Sequence, residues 1–318
     1  MHSTYQFPKY AKYRASQLCG RCWSLVASSV VALKQQLAPG VLNIHRRDYT
    51  NIGDLMSSPF RYFRTAKPLY KLDIEPLTLV SPFFSARREP LVLGGGGLFF
   101  FETAVNGLLT KYRGPVIGWG IGQNGPLAEK ANTRIQTGKF ALLGVRDWQS
   151  GHEWVPCSSC LAPELEAFRG IQPEHEFVLY DHRHAPLPIK GHPRLSNACM
   201  DFSDVVAFLA SGETVITNSY HGAYWARLLG RRVVVLPFSN RLLRMRYPPV
   251  IANAYNYRQC AKNARPEPES LELCREANLR FAARVSELIG AELQSIAKTP
   301  GTSAQVNRLT AGGTVLES

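Results

Sequence analysis

A chain of 318 residues is too long for one ordinary hydrophobic core, so two domains of about 120–150 residues each are expected. Apolar side chains make up 45% of it, which excludes disorder for most of the length. With 37 basic against 24 acidic residues the formal charge is +13, an excess that suits anionic partners: phosphorylated substrates, nucleic acid or an acidic membrane surface.

Much of that excess lies before the first acidic residue, Asp48. The longest apolar run there, Leu25–Leu33, falls short of the roughly 18–20 residues needed to cross a bilayer, and it follows Lys9, Lys12, Arg14 and Arg21. Residues 1–40 therefore read as a basic extension. It is an extra helix packed on the first domain, a helix lying on a membrane surface, or a leader peptide. Seven cysteines without a small-domain disulfide pattern favour a reducing, cytoplasmic setting. Cys19 with Cys22, and Cys157 with Cys160, have metal-knuckle or redox spacing, but the pairs stand far apart and outside any ribbon pattern. Unpaired thiols are the expectation, with no metal site.

From residue 41 short apolar strands alternate with glycine-rich or polar turns. "VLNIHRRDY" reads as a strand, "TNIGD" as a turn and "LMSSPFRYFR" as a helix start. "PLVLGGGGLFF" is a strand running into Gly94–Gly97, and "GPVIGWGIG" repeats the design with Gly118, Gly120 and Gly122. "FALLGVRDWQSG" is a strand ending in a charged turn. "CLAPELEAFRGIQPEH" is helical or linking and carries the domain boundary. A second series follows: the strand "HEFVLYDHR", the amphipathic helix "FSDVVAFLASGE", and strand, turn, helix and strand across "TVITNSYHGAYWARLLGRRVVVLPF". Leu271 to Leu293 reads as a long closing helix. The pattern predicts an α/β protein with two Rossmann-like doubly wound domains, 41–165 and 166–298, and a flexible tail over 299–318. Ligands bind such sheets outside the carboxyl ends of the strands, so the turns should converge on a cleft between the domains.

Those turns hold the candidate residues. Gly95 and Gly96 let a backbone approach an anion closely, although a tight strand-to-helix turn explains them as well. The run is neither a dinucleotide fingerprint nor a phosphate loop. Asn51, Gly53 and Asp54 form a turn in which the carboxylate either caps a helix or orients a sugar hydroxyl. Arg146 stands at a strand end, where it reaches into a cleft or pairs with Asp147. His221 sits at a helix mouth beside Gly222, after Ser219 and Tyr220. It either caps its own helix or serves as an acid or base near neutral pH. His182, His184 and His192 are close in sequence, but the prolines among them argue for an irregular loop rather than a metal site.

In chain order, "NIGD", "GGGG", "GWGIG", "VRDWQS" and "NSYHGA" resemble the polysaccharide pyruvyl transferase family, over roughly residues 44 to 240. Order and spacing carry the resemblance, not any single motif. It implies a two-Rossmann GT-B-like pair of domains and transfer of the pyruvyl group of phosphoenolpyruvate onto a sugar of a surface or exopolysaccharide. A ketal forms and phosphate is released, with no cofactor beyond the donor. The implied acceptor is a glycan or lipid-linked oligosaccharide at the inner membrane face, with the basic front serving peripheral docking. Carried onto this chain, the catalytic arginine is Arg146 and the histidine His221. Asn51, Gly53, Asp54, Gly95, Gly96, Ser219, Tyr220 and Gly222 are the expected substrate-binding set. Many members have Arg-Leu-His where this chain has Ser219-Tyr220-His221, which matches a second branch with Ser-Phe/Tyr-His-Gly. The second cation must then come from Arg183, Arg241, Arg244 or Arg246, near other strand ends; Arg227, six residues along the helix, is rotated by about 240° from His221. Two alternatives stand beside this reading. One is a GT-B glycosyltransferase using a nucleotide sugar, disfavoured because no clear ribose carboxylate appears in the second unit. The other is a basic nucleic-acid-binding protein, for which "RLLRMRYPP" is the only compact hint, so no nucleic-acid partner is expected.

Overall fold

The structure is a computed structural model that describes residues 39–75, 88–125 and 135–296; the front extension with Cys19 and Cys22, and the tail, lie outside the described residues. The strands of the first half are β1 (Val41–His45), the short β2 (Phe63–Arg64), β3 (Leu69–Asp73), β4 (Leu91–Gly96), β5 (Val116–Ile121), β6 (Leu142–Val145) and β7 (Glu153–Trp154). All but β2 form one parallel sheet in the order β3-β1-β4-β5-β6-β7. Its central strands β1, β4 and β5 are buried along their whole length. Covered on both faces, they read as continuous apolar or glycine runs rather than alternating ones.

The second half holds β8 (His175–Asp181), β9 (Arg194–Ser196), β10 (Gly212–Thr217), β11 (Arg232–Val235) and β12 (Val250–Ile251). They form a second parallel sheet in the order β12-β11-β10-β8-β9. The protein is thus mixed α/β with two parallel sheets, as the alternation predicted. In each sheet the first strand of the unit lies between the second and the third. The winding therefore reverses beside it, between β1 and β4 in one sheet and between β8 and β10 in the other. Such a reversal opens a crevice at the carboxyl ends of the two strands that flank it.

The helices are α1 (Ile52–Met56), α2 (Glu102–Lys111), α3 (Pro163–Arg169), α4 (Phe202–Ala210), α5 (Tyr220–Leu228), α6 (Tyr257–Ala261) and α7 (Ser270–Ile289). The sequence placed "TNIGD" in a turn ahead of its helix. In the structure the helix starts inside that motif, because the Asn51 side chain accepts the Gly53 N–H and caps it. It lasts little more than one turn before Pro59 opens a 3₁₀ turn. Every residue of α5 is buried, so this helix forms part of the main core rather than its surface.

The long helix α7 ends on Gly290, whose left-handed φ of 62° closes it. Counted with the second unit by sequence, it also closes over the first sheet. Asn278 Oδ1 accepts the Trp119 indole N–H at 2.9 Å, and Phe281 meets Trp119 edge-on with ring centres 5.4 Å apart. Past it, β13 (Gln294–Ser295) pairs antiparallel with β2. Among the described residues no helix is long and apolar enough to cross a membrane.

Candidate active site

An open cleft of about 450 Å³ lies where the two sheets present their strand ends. Arg46, Asp48, Asn51 and Asp54 reach it after β1; Gly97, Leu98, Phe100 and Phe101 after β4; and Asn124 after β5. From the second unit come His182, Arg183 and His184 after β8, and Arg241 from the 3₁₀ turn Asn240–Arg244. The units are tied together at its edge. The Ile52 N–H donates to the Asn197 carbonyl at 3.1 Å, Asn197 Nδ2 donates to Asn51 Oδ1 at 3.1 Å, and Arg183 pairs with Asp48 at 2.7 Å.

Helix α1 brings Asp54 to the cleft, where Asn51 Nδ2 donates to its Oδ2 at 3.0 Å. Burial pushes the Asp54 carboxyl up to about 6, against the pull of Arg46. The preceding residue, Gly53, is a glycine for a different reason. A Cβ there would collide with the His221 ring at Nδ1, so the space goes to the imidazole and not to a ligand. His221 itself does not line the cleft. Its ring stacks on Trp225 with centres 5.1 Å apart, and Nε2 lies 3.6 Å from Cys157 Sγ. Nor does it cap its helix, since Ser219 Oγ accepts the Gly222 N–H. Gly222 makes room for the Tyr180 ring. Burial, with Arg146 and Arg241 nearby, holds the His221 pKa well below the usual histidine range, so the ring is neutral.

Arg146, the expected catalytic arginine, is 3% exposed and does not line the cleft; it stacks on Tyr220, its guanidinium carbon 3.9 Å from the ring centre. Nη2 donates to the Gln123 carbonyl at 3.2 Å, while the buried Nε has no hydrogen-bond partner. Asp147, the carboxylate next door in sequence, instead accepts the Gln123 N–H at 2.7 Å. Arg241 Nη1 donates to Asn124 Oδ1 at 3.1 Å, and burial together with Arg146 lowers its pKa to about 10. Among the described residues neither Arg146 nor Arg241 forms a salt bridge. Gly97 lets Asn124 and Arg146 close in: a Cβ there would stand 2.6 Å from Asn124 Cβ and 3.4 Å from Arg146 Nη2. Gly95 and Gly96, with φ of 74° and 90°, turn the chain, and Gly95 packs on the Ser57 carbonyl; neither lines the cleft.

Of the four arginines offered for the second cation, Arg183 and Arg241 line the cleft. Arg183 is held by Asp48 and Thr50. Arg246 lies 4.5 Å from both the Trp148 and the Trp154 ring centres, away from the cleft, and Arg244 does not line it either. Arg227 meets Glu267 at 3.7 Å. Asn124 and Phe100 escaped the sequence reading, and of the run Gly94–Gly97 it is Gly97, not the expected Gly95 and Gly96, that lines the cleft; the signal they carry is their place just past the ends of β5 and β4. His182 and His184 share the cleft, whereas His192 packs against Phe177 and Tyr257. Cys157 and Cys160 are buried free thiols. Among the described residues no group of three or more His, Cys, Asp or Glu is placed to hold a metal ion.

No family model and no curated protein matches the chain. A crystal structure of an uncharacterized protein from Klebsiella pneumoniae subsp. pneumoniae aligns with it at 14% identity and a TM-score of 0.37, over 77% of this chain and 93% of that one.

Proposed function

We propose that the chain is a pyruvyl transferase that moves the pyruvyl group of phosphoenolpyruvate onto a sugar, its two units acting as a GT-B-like pair across the cleft. The observation that carries the reading is the pair Arg146 and Arg241. One comes from each unit: Arg241 lines the cleft and Arg146 lies behind its wall at Gly97, and among the described residues neither is in salt-bridge contact with a carboxylate, although Asp54 is near enough to act on both. Two cations partly removed from water and left unpaired are costly, and an anion between them recovers the cost. Phosphoenolpyruvate brings a carboxylate and a phosphate, one oxyanion group for each guanidinium.

The chemistry assigns the remaining roles. A proton adds to the methylene carbon, which becomes the methyl group and leaves the central carbon electrophilic. One sugar hydroxyl attacks that carbon and loses its proton, and the bond to the phosphate oxygen breaks. A second hydroxyl then closes the ketal and loses its own proton. Of the two hydroxyl protons, one replaces the proton given to carbon and the other departs with phosphate. Asp54, in the cleft and held near 6, is the group suited to deliver and recover a proton. His221, neutral and behind α1, positions the helix that carries Asp54. The acceptor is a lipid-linked or free glycan reached from the cytoplasmic face, with the basic front of the chain near an anionic surface.

The test is incubation with phosphoenolpyruvate and candidate glycans, following free phosphate and the acceptor mass. Phosphate release coupled to the mass gain of one pyruvyl unit is expected. Arg146→Ala and Arg241→Ala should each lower turnover by about a hundredfold or more with the circular dichroism unchanged. Release of a nucleotide from a nucleotide sugar, with phosphoenolpyruvate inert, would replace this reading by the glycosyltransferase one.

A further inference from the structure

A second and much smaller pocket, of about 20 Å³, lies between α5, the start of α7 and the end of β7. Tyr220, Tyr224, Arg227 and Leu228 line it from α5, at the spacing of one helix face. Arg146, which backs the cleft at Gly97, borders it too. Arg246 enters from the loop after the 3₁₀ turn Asn240–Arg244. Three guanidinium groups thus border a void with room for about one water-sized guest.

No carboxylate lines this pocket. Arg227 is 5% exposed, and its buried Nε has no hydrogen-bond partner; Glu267, itself partly exposed, reaches it at 3.7 Å. Arg146 Nε is likewise buried without a partner, and Asp54 and Asp147 act on that residue from outside the pocket. Arg246 forms no salt bridge among the described residues. Its guanidinium carbon lies 4.5 Å from the Trp154 ring centre and 5.6 Å from that of Tyr247. Aromatic faces attract a cation without neutralising it. The hydroxyls of Tyr224 and Ser270 are engaged with the Cys157 and Arg227 carbonyls. With the outlying carboxylates assigned to Arg146 and Arg227, the charge of Arg246 is left over. A water in the pocket would accept hydrogen bonds but bring no charge; one monovalent anion closes the balance.

We infer that this pocket binds one small monovalent anion of halide size, held by Arg227 and Arg246 beside Arg146. The site goes beyond pyruvyl transfer and does not depend on it. Its size sets its selectivity, since sulfate, phosphate and carboxylates are larger than the void.

Thermal unfolding of the full chain at fixed ionic strength, with gluconate replaced stepwise by chloride or bromide, tests it, and chloride NMR linewidths measure binding directly. A saturable rise in melting temperature is expected with either halide and none with sulfate. Arg227→Met and Arg246→Gln should each weaken halide binding by about tenfold or more, as loss of a hydrogen bond to a charged group does. The second replaces a half-buried side chain, so it tests the site even where the first unfolds. Arg241→Ala alters the cleft and should keep the full halide response. The site is overturned if halide and gluconate give the same melting temperature and linewidth, which would leave the pocket to water. It is equally overturned if sulfate acts as strongly, if the pocket variants bind halide as tightly as the unaltered protein, or if Arg241→Ala abolishes the response, which would put the anion in the cleft. A halide response without protection by phosphoenolpyruvate would keep this site and remove the donor assignment.

Discussion

At Gly53 the two halves of the molecule meet closely, with the His221 ring where its side chain would be. That ring is held by Trp225 and faces Cys157, so it has little freedom to yield. Gly53→Ala is expected to lose about 1–3 kcal/mol in urea unfolding, the cost of overpacking a filled core, and to lower turnover by displacing α1. The neighbouring Asp54 gives a test with opposite signs for stability and function. Its folded pKa, about 6, lies above the ordinary 3.8. The folded state therefore favours the protonated form, and that contribution is full below pH 4 and lost as pH rises through 6. At pH 8 the ionised carboxylate is a liability. Asp54→Asn should then unfold about 1–3 kcal/mol later than the unaltered protein, with the gain vanishing near pH 3. If the proposed pyruvyl transfer holds, the same substitution should lower it about a hundred- to ten-thousand-fold, as loss of a general acid does. Thermal melts at both pH values and a phosphate-release assay decide it.

Helix α5 and helix α7 do different work. Helix α5 is locked inside the core by its own burial and starts on the Ser219 cap. Ser219→Ala should cost about 1 kcal/mol in unfolding free energy while leaving the cleft intact. Helix α7 joins the two halves through Phe281 on Trp119, Arg284 with Glu153, the Ile289 carbonyl with Lys67, and the Asn278 amide. Asn278 Oδ1 accepts from Trp119, and its Nδ2 donates to the Pro156 and Cys274 carbonyls at 3.2 and 3.0 Å. Asn278→Leu leaves a buried indole N–H and a loop carbonyl without partners. We expect a loss of about 2–4 kcal/mol, visible as an earlier denaturant midpoint and an altered tryptophan emission.

Across the molecule, pH and anions act through groups far apart in sequence. Burial lowers the pKa of His45 to about 3, and that of His221 also falls well below the usual range. Both rings fold neutral, so their contribution is complete above pH 6.5 and is lost as pH falls toward the folded values. Between pH 7 and pH 5 His45 should remove about 2 kcal/mol of stability, measured as the fall in unfolding free energy, and His221 acts in the same direction. Phosphoenolpyruvate at a hundred times its Kd should add about 2.7 kcal/mol at pH 7, raising the melting temperature. Arg146→Ala and Arg241→Ala should each abolish most of that gain, and added salt should erode it.

The alternation of apolar runs with glycine-rich turns was enough to read parallel sheets, because a strand covered on both faces has no polar side to show. It also marked Asn51, Asp54 and Arg146 as strand-end residues. Local pattern could not supply the order of strands within a sheet, and that order places the two reversals that open crevices. It could not show that the glycine of "NIGD" serves His221, that Asp147 accepts the Gln123 N–H instead of forming a salt bridge with Arg146, or that Arg241 lies beside Asn124. It could not show that α7 returns to Trp119. Periodicity reports how each residue meets its own sheet or helix; these relations join positions up to 168 residues apart, Gly53 and His221 among them. They exist only once the chain has brought the two sheets together, since close packing and the pairing of buried charges are properties of space and not of spacing.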